Sequence, residues 1–183
     1  MPRRIGGYPG YGDRDAAMSD LKAQRVSKTS TITLNASLER VFPLFGPIRE
    51  IEWAEGWQPE LVYGPAGSVA EHMVFKTQAH SHGEPDYVWT VSKYAPDQAL
   101  IEYTVFTPER LWTITIQCWQ AAAAPTTQAE ITYTYTGLSE HGNVLNARAL
   151  QAMYAHDLKD WEAAINFYLE TGKRLTHHAR NRR

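Results

Sequence analysis

Residues 143 to 171 read NVLNARALQAMYAHDLKDWEAAINFYLET, and the expected architecture of the whole chain follows from this stretch. It contains no proline, and Gly172 comes directly after it. Large apolar side chains recur in steps of three and four, which places them on one face of a helix of about eight turns. They are Leu150, Met153, Tyr154, Leu158, Trp161, Ile165, Tyr168 and Leu169. A stripe of this length needs a large apolar partner, which the preceding strands must supply.

The composition limits the class of protein. The chain has 183 residues, a mass of 20.7 kDa and a formal net charge of −2, which fits a single domain with a sizeable core and no nucleic-acid partner. A single cysteine, Cys118, excludes an internal disulfide and favours a reducing compartment, so we expect a cytoplasmic protein. There is no apolar run long enough for membrane insertion and no apolar segment typical of a secretory signal.

Turn and breaker residues divide the chain into segments. Residues 1–27 are rich in glycine and predict a flexible N-terminal arm, and residues 173–183 form a basic tail with five permanent positive charges and no acid. Between them, a strand at Ser30 to Leu34 is followed by two short helices that Pro43 and Pro47 limit. Six more strands are predicted at residues 60–63, 69–78, 86–94, 99–106, 111–121 and 128–136. Their short connections indicate an antiparallel meander.

Along the later strands, apolar side chains alternate with polar ones. Ile131, Tyr133 and Tyr135 alternate with threonines, and the two preceding strands show the same pattern. One side of the sheet should therefore face the helix and the other water. The expected fold is α+β, with a curved antiparallel sheet of about seven strands wrapped around a long C-terminal helix and two short helices after strand 1.

This order of elements resembles the helix-grip fold of the START, polyketide cyclase and birch-pollen-allergen superfamily, over about residues 28 to 172. Several segments resemble an uncharacterised bacterial branch of it, whose members are mostly described by fold rather than by reaction. These segments are Val41-Phe42-Pro43-Leu44-Phe45, Trp53 followed by Gly56-Trp57-Gln58-Pro59, Val74-Phe75-Lys76-Thr77, Val88-Trp89, Thr136-Gly137-Leu138-Ser139, and Trp161-Glu162 followed by Ile165. The resemblance implies a helix-grip domain at residues 28–172 with a cavity between sheet and helix that holds a small apolar molecule. It supplies no catalytic residues.

Aromatic side chains are the candidates for lining such a cavity, because ligand sites favour apolar walls with a few polar groups. The candidates are Trp53, Trp57, Phe75, Trp89, Tyr103, Trp112, Tyr133, Tyr135, Tyr154 and Trp161. The alternative is that these rings only fill the core.

Two polar positions are weak catalytic candidates. Asp157 falls inside the apolar stripe of the helix, where a low-dielectric surrounding would raise the pKa of its carboxyl group. The interpretation that we favour is that Asp157 lies at the edge of the stripe, where it accepts a hydrogen bond from a hydroxyl group or pairs with a cation. His80 could reach the mouth of the cavity. His80, His82 and Glu84 also suit zinc or nickel by residue type, but two histidines without a third fixed ligand are common, and we expect no metal.

The sequence shows no nucleophile triad, phosphate-binding loop or dinucleotide motif, and we expect no cofactor. The first hypothesis is a domain that binds or carries a small hydrophobic or aromatic molecule. An alternative is an enzyme similar to polyketide cyclases or dehydratases that uses the same pocket. A weaker alternative is a protein-partner module similar to a co-chaperone, and a homodimer is compatible with the sequence. The ligand and any reaction stay open at this point.

Overall fold

The computed structural model describes residues 22–79, 85–122 and 125–176. The strands are β1 Arg25–Leu34, β2 Glu60–Tyr63, β3 Val74–Thr77, β4 Tyr87–Ala95, β5 Leu100–Phe106, β6 Arg110–Gln120 and β7 Thr127–Gly137. The α-helices are α1 Leu38–Val41, α2 Glu140–His156 and α3 Lys159–Thr171. Short 3₁₀ helices span Phe42–Phe45, Arg49–Glu52 and Pro96–Gln98. The first strand begins at Arg25, earlier than the sequence pattern indicated.

The strands form one antiparallel sheet in the order β1-β7-β6-β5-β4-β3-β2. Only β1 departs from a simple meander, since it pairs with β7 along its whole length. The predicted α+β architecture, with a seven-stranded curved sheet and two short helical segments after strand 1, is confirmed.

The two faces of the sheet differ as the alternation predicted. In β6 and β7, Trp112 lies opposite Tyr135, and Ile116 lies opposite Ile131. All four side chains are buried, whereas Thr113 and Thr115 on the other face are partly exposed. Cys118 is also buried on the apolar face, and burial raises the pKa of its thiol to about 12. The apolar face therefore points toward the helices.

Side chains from the helices and from the sheet pack together to form the core. Ile32 of β1, Leu44 and Phe45 of the first 3₁₀ helix, and Ile165 of α3 are each at most 1% exposed. Since these residues come from distant parts of the chain, the core depends on the C-terminal helices as much as on the sheet.

The prediction of one continuous C-terminal helix is wrong. The helix is interrupted between α2 and α3 at Asp157 and Leu158, whose φ angles of 48° and 55° are both left-handed. Two consecutive non-glycine residues in this conformation cost strain. Contacts from β1 offset it: Lys28 Nζ lies 3.0 Å from Asp157 Oδ1 and donates to Met153 O, while Ser30 Oγ donates to the same carboxylate. Leu158 is buried, which fixes the bend against the core.

We expect Asp157→Asn to destabilise the protein at neutral pH. The hydrogen bond from Ser30 and the interaction with Lys28 hold the pKa of the Asp157 carboxyl below its ordinary value of 3.8. The ionised carboxylate of Asp157 therefore stabilises the fold above pH 3.8, and this contribution is lost as the pH falls through the lowered pKa. Thermal unfolding should show a lower midpoint for Asp157→Asn at pH 7, and this difference should shrink as the pH falls below 3.8.

The matched control is Asp97→Asn, at an exposed carboxylate in the short 3₁₀ helix before β5. Its midpoint should stay close to that of the wild type at both pH values. Equal midpoints for Asp157→Asn and the wild type at pH 7 would show that the contacts with β1 do not stabilise the bend.

The junction between β7 and α2 depends on a glycine. Ser139 caps α2 by accepting a hydrogen bond from Gly142 N at 2.9 Å. A Cβ atom on Gly142 would lie 1.8 Å from the backbone oxygen of Glu109, so only glycine allows this approach. The same oxygen accepts from Leu138 N. The start of α2 is thus fixed over the sheet beside the β5–β6 turn. Within the described part of the chain, no helix has the length and apolar character needed to cross a membrane.

Candidate ligand-binding cavity

Two neighbouring chambers lie between the apolar face of the sheet and the helical layer. The α2 chamber has a volume of about 390 Å³ and lies between α2, the start of α3 and strands β4, β6 and β7. The turn chamber has a volume of about 370 Å³ and is bounded by residues 50–57, α3 and strands β4 to β7. Both volumes fall within the usual range for ligand sites. The two chambers share five lining residues, Trp89, Ile114, Tyr133, Asp160 and Trp161, which form a common wall.

Most of the aromatic residues singled out from the sequence lie along these chambers. Seven of them contribute to the lining, namely Trp57, Trp89, Tyr103, Trp112, Tyr133, Tyr135 and Trp161. Trp53 and Phe75 lie behind this lining. The side chain of Tyr154 and all of His80 lie outside the described part of the structure.

Trp89 is at the centre of the aromatic wall. Its ring stacks on Phe75 at 5.5 Å between centroids and meets Trp57 edge-on at 5.3 Å. Its Nε1 donates to Thr77 Oγ1 at 3.0 Å, and Trp57 Nε1 donates to Pro47 O at 2.8 Å. Because the polar atoms of both indoles are bound within the protein, their apolar ring surfaces are left to line the chambers.

Trp53 supports this wall from behind. It is 2% exposed, and its Nε1 donates to Leu44 O at 2.7 Å. Its ring meets Trp161 edge-on at 5.5 Å. The structure thus places Trp53 in the core, where it positions a lining residue.

Glu50 is a polar group of the turn chamber that the sequence did not reveal. It belongs to the 3₁₀ helix Arg49–Glu52, and within the described residues its carboxyl group makes no hydrogen bond or ion pair. Burial raises the pKa of the Glu50 carboxyl to about 8. Glu52, two residues later, accepts hydrogen bonds from Arg49 Nε, Arg49 Nη2 and Tyr168 OH, and the bonds from Arg49 lower its pKa. This short helix therefore holds, two residues apart, a carboxyl group whose pKa is raised by burial and a carboxylate that is paired with a cation.

Two tyrosines add to the polar lining of the turn chamber. Tyr103 OH donates to Phe45 O at 2.7 Å. Burial is the main cause that raises the pKa of Tyr103 and Tyr133 well above 10, and the nearby Glu50 adds to it. Both hydroxyl groups therefore stay neutral throughout the physiological pH range.

Arg110 brings a positive charge to the α2 chamber. It is 6% exposed, and its guanidinium carbon lies 4.8 Å from the centre of the Trp112 ring. Its Nη2 also lies 3.3 Å from Tyr87 OH. The sequence could have predicted this placement, because Arg110 is two residues before Trp112 and therefore lies on the same ring-rich face of β6.

Asp157, a weak catalytic candidate from the sequence, does not line either chamber. Its side chain is 58% exposed and is bound to Lys28 and Ser30, so it both pairs with a cation and accepts from a hydroxyl group. These contacts agree with the interpretation that we favoured from the sequence, and they lower the pKa of the Asp157 carboxyl instead of raising it. Of the residues that the structure describes, no three histidine, cysteine or acidic side chains form a group that could hold a metal ion, and His80, His82 and Glu84 fall outside them.

The burial of Glu50 should cost stability in a pH-dependent way. Its pKa is raised from 4.5 to about 8, so its protonated form stabilises the fold fully below pH 4.5 and this contribution is lost as the pH rises toward 8. Glu50→Gln should therefore be more stable than the wild type above pH 8, by about 1–3 kcal/mol. The full pKa difference would give more, at about 1.4 kcal/mol per pKa unit, but the amide of glutamine has a desolvation cost of its own at this position.

Urea unfolding at pH 4 and at pH 9 measures this difference directly. The exposed carboxyl of Glu39 in α1 provides the control, and Glu39→Gln should leave the free energy of unfolding almost unchanged at both pH values. A Glu50→Gln variant that is no more stable than the wild type at pH 9 would show that the carboxyl of Glu50 is well solvated.

The comparisons with known proteins concern the fold. No protein-family model matches the chain, and no curated protein matches its sequence significantly. Solved structures do match. Norcoclaurine synthase from Thalictrum flavum, in complex with dopamine and hydroxybenzaldehyde, has a TM-score of 0.61 at 10% identity, over 93% of this chain and 98% of that one.

Two bacterial proteins are similar at a comparable level. An uncharacterised protein from Rhizobium leguminosarum has a TM-score of 0.56 at 15% identity, over 78% of this chain and 95% of that one. XoxI from Bacillus cereus has a TM-score of 0.56 at 18% identity, over 76% of this chain and 95% of that one. The resemblance noted in the sequence is thereby confirmed at the level of architecture: the chain shares the helix-grip fold of these solved structures.

Proposed function

We propose that this protein binds a small aromatic molecule in the two chambers between the sheet and the C-terminal helices. The observation that carries the proposal is the shared wall of the chambers, where the rings of Trp89, Tyr133 and Trp161 line both spaces. Aromatic side chains bury large areas and prefer stacked or edge-on contacts with other rings, so this wall favours a flat apolar ligand. Norcoclaurine synthase, which shares the fold, has been solved with two small aromatic compounds.

Isothermal titration with 1-naphthylmethanol tests the proposal, because this alcohol is neutral, aromatic and small enough for one chamber. The wild type should bind it with saturable stoichiometry near one. Ala54 lines the turn chamber and Ala149 lines the α2 chamber, so Ala54→Trp and Ala149→Trp each fill one space. At least one of the two variants should weaken binding about tenfold or more, since a filled chamber excludes the ring.

The control is Ala163→Trp, which adds the same ring to an exposed position of α3 outside both linings. Its affinity should stay within about twofold of the wild type. A thermal midpoint for each variant separates a blocked chamber from a damaged fold. Unchanged affinity in both folded chamber variants would place the ligand elsewhere and contradict the proposal.

An enzyme that uses the same cavity is the second candidate, and Glu50 is the observation that favours it. A carboxyl group with a pKa near neutrality can both accept and donate a proton at physiological pH. In that case Glu50→Gln should lower turnover by about 10² or more while affinity for a neutral substrate persists. Full turnover in Glu50→Gln would remove Glu50 from any acid–base role.

A further inference from the structure

The charged side chains that line the turn chamber are all acidic. Glu50, Glu55 and Asp160 contribute acidic side chains to it, and no lysine, arginine or histidine occurs among the described residues that line it. Arg49, on the same 3₁₀ helix as Glu50, holds Glu52 through two hydrogen bonds of 2.9 and 2.8 Å. The basic residues Arg110 and His156 line the α2 chamber instead.

Aromatic rings surround the same space. Trp57, Trp89, Tyr103, Tyr133 and Trp161 all line the turn chamber together with the three acids. The face of an aromatic ring attracts a cation, and this attraction grows when water is excluded. Aromatic rings around the carboxyl group of Glu50 are the chemistry that recognises an organic ammonium group.

We propose that the turn chamber binds the ammonium group of a small aromatic amine, with the Glu50 carboxylate as its charge partner. This inference rests on the proposed function, since it assigns a ligand class to the same cavity. The ring of the ligand would contact Trp89 and Trp161, which are shared by both chambers, and its amino group would point toward residues 50–57.

Binding of an ammonium group should release a proton from the protein. Burial raises the pKa of Glu50 to about 8, so at pH 7 its carboxyl is mainly protonated when the chamber holds no cation. A cation beside it favours the carboxylate, and the proton leaves to solvent. Tyr103 of β5 and Tyr133 of β7 face the same space but stay neutral, because burial raises their pKa values well above 10. The other charged groups around Glu50 are Glu55, Asp160 of α3, and the Arg49–Glu52 pair.

Three probes with one ring system separate charge from shape: 1-naphthylmethylamine, 1-naphthylmethanol and 1-naphthoate. The amine should bind at least about tenfold more tightly than the alcohol at pH 8. Titration calorimetry at pH 7 in buffers of different ionisation enthalpy should show release of about one proton with the amine and none with the alcohol. Between pH 6 and 7.5 the affinity for the amine should rise close to tenfold per pH unit and then level off.

Glu50→Gln provides the decisive variant. It should lose most of the preference for the amine over the alcohol and release no proton. A cooperative thermal transition shows that the variant is folded. Glu39→Gln, an exposed change in α1, should behave as the wild type with all three probes.

The outcomes distinguish this inference from the function on which it rests. If the alcohol binds but the amine is no tighter, or if Glu50→Gln keeps the preference for the amine, the ammonium site is wrong and aromatic binding stands. Tightest binding of 1-naphthoate would assign the ligand's charged group to the α2 chamber near Arg110 and would also overturn the inference. If none of the three probes binds, both the ammonium site and the proposed aromatic function are contradicted.

Discussion

A chain that ends at Ser139 is expected not to fold. It lacks α2, α3 and the bend between them, which contribute the buried side chains of Leu158, Ala164 and Ile165 to the core. Five larger side chains of the same helices are partly buried against it, namely Leu150, Met153, Trp161, Tyr168 and Leu169. Full burial of one large apolar side chain stabilises a fold by about 1.5–3 kcal/mol, whereas a whole domain is stable by only about 5–15 kcal/mol. The loss should therefore exceed the total stability.

The truncation also uncovers the free edge of the sheet. At β1, Thr33 N donates to Glu162 Oε2 at 2.8 Å and Thr33 O accepts from Asn166 Nδ2 at 2.9 Å. Asn166 Oδ1 accepts from Asn35 N as well. These side chains of α3 satisfy backbone groups at the edge strand, and without them the edge can pair with other chains. We therefore expect the truncated chain to aggregate.

Circular dichroism and urea unfolding measure the effect. The truncated chain should show no cooperative transition and should be insoluble or bind hydrophobic dyes. A chain that ends at Thr176 keeps all of α3 and should unfold as the full chain does. A cooperative thermal transition in the chain that ends at Ser139 would refute the role of the C-terminal helices in the core.

Trp53→Ala should destabilise the protein by about 3–5 kcal/mol, the usual cost of removing a fully buried large ring. The side chain is 2% exposed and contacts Trp161, and its removal also leaves Leu44 O without its donor. Trp53→Phe keeps most of the ring but removes the hydrogen bond, so its cost should be smaller, at about 1–3 kcal/mol.

Trp119→Ala is the matched control for this prediction. Trp119 is 41% exposed at the end of β6, and its removal should cost less than about 1 kcal/mol. Urea unfolding of the three variants gives the comparison. If Trp53→Ala costs no more than Trp119→Ala, Trp53 does not belong to the core and the support of Trp161 must come from other residues.

The strands and their faces could be predicted because their signal is local. Alternation in Ile131, Tyr133 and Tyr135 fixes which side chains share a face, and the antiparallel order follows from the short turns. The lining by Trp89, Trp112 and Tyr133 follows from the same alternation once the helices cover that face.

The break in the C-terminal helix could not be predicted because its cause is distant in sequence. Residues 157–158 contain neither glycine nor proline, and their left-handed conformation depends on Lys28 and Ser30 of β1. The apolar spacing continues across the break, so the pattern alone indicates one helix. The bend also turns the carboxylate of Asp157 away from the chambers and toward Lys28 and Ser30, which are a cation and a hydroxyl partner of the kind that we favoured from the sequence.

Glu50 was missed for a similar reason. In the sequence it is one of three acids between residues 50 and 55, and nothing local distinguishes it from Glu52. Its burial arises because residues 50–57 close one end of the turn chamber, while Arg49 and Tyr168 bind Glu52. Only the tertiary arrangement separates the two carboxyl groups.

The most direct test of the aromatic binding site is a crystal structure of the protein with 1-bromonaphthalene, whose bromine is located by anomalous scattering. We predict one strong bromine peak between the sheet and the C-terminal helices, within contact distance of Trp89, Tyr133 or Trp161. Bromine peaks confined to the outer surface, with the cavity filled by its own side chains, would contradict the account.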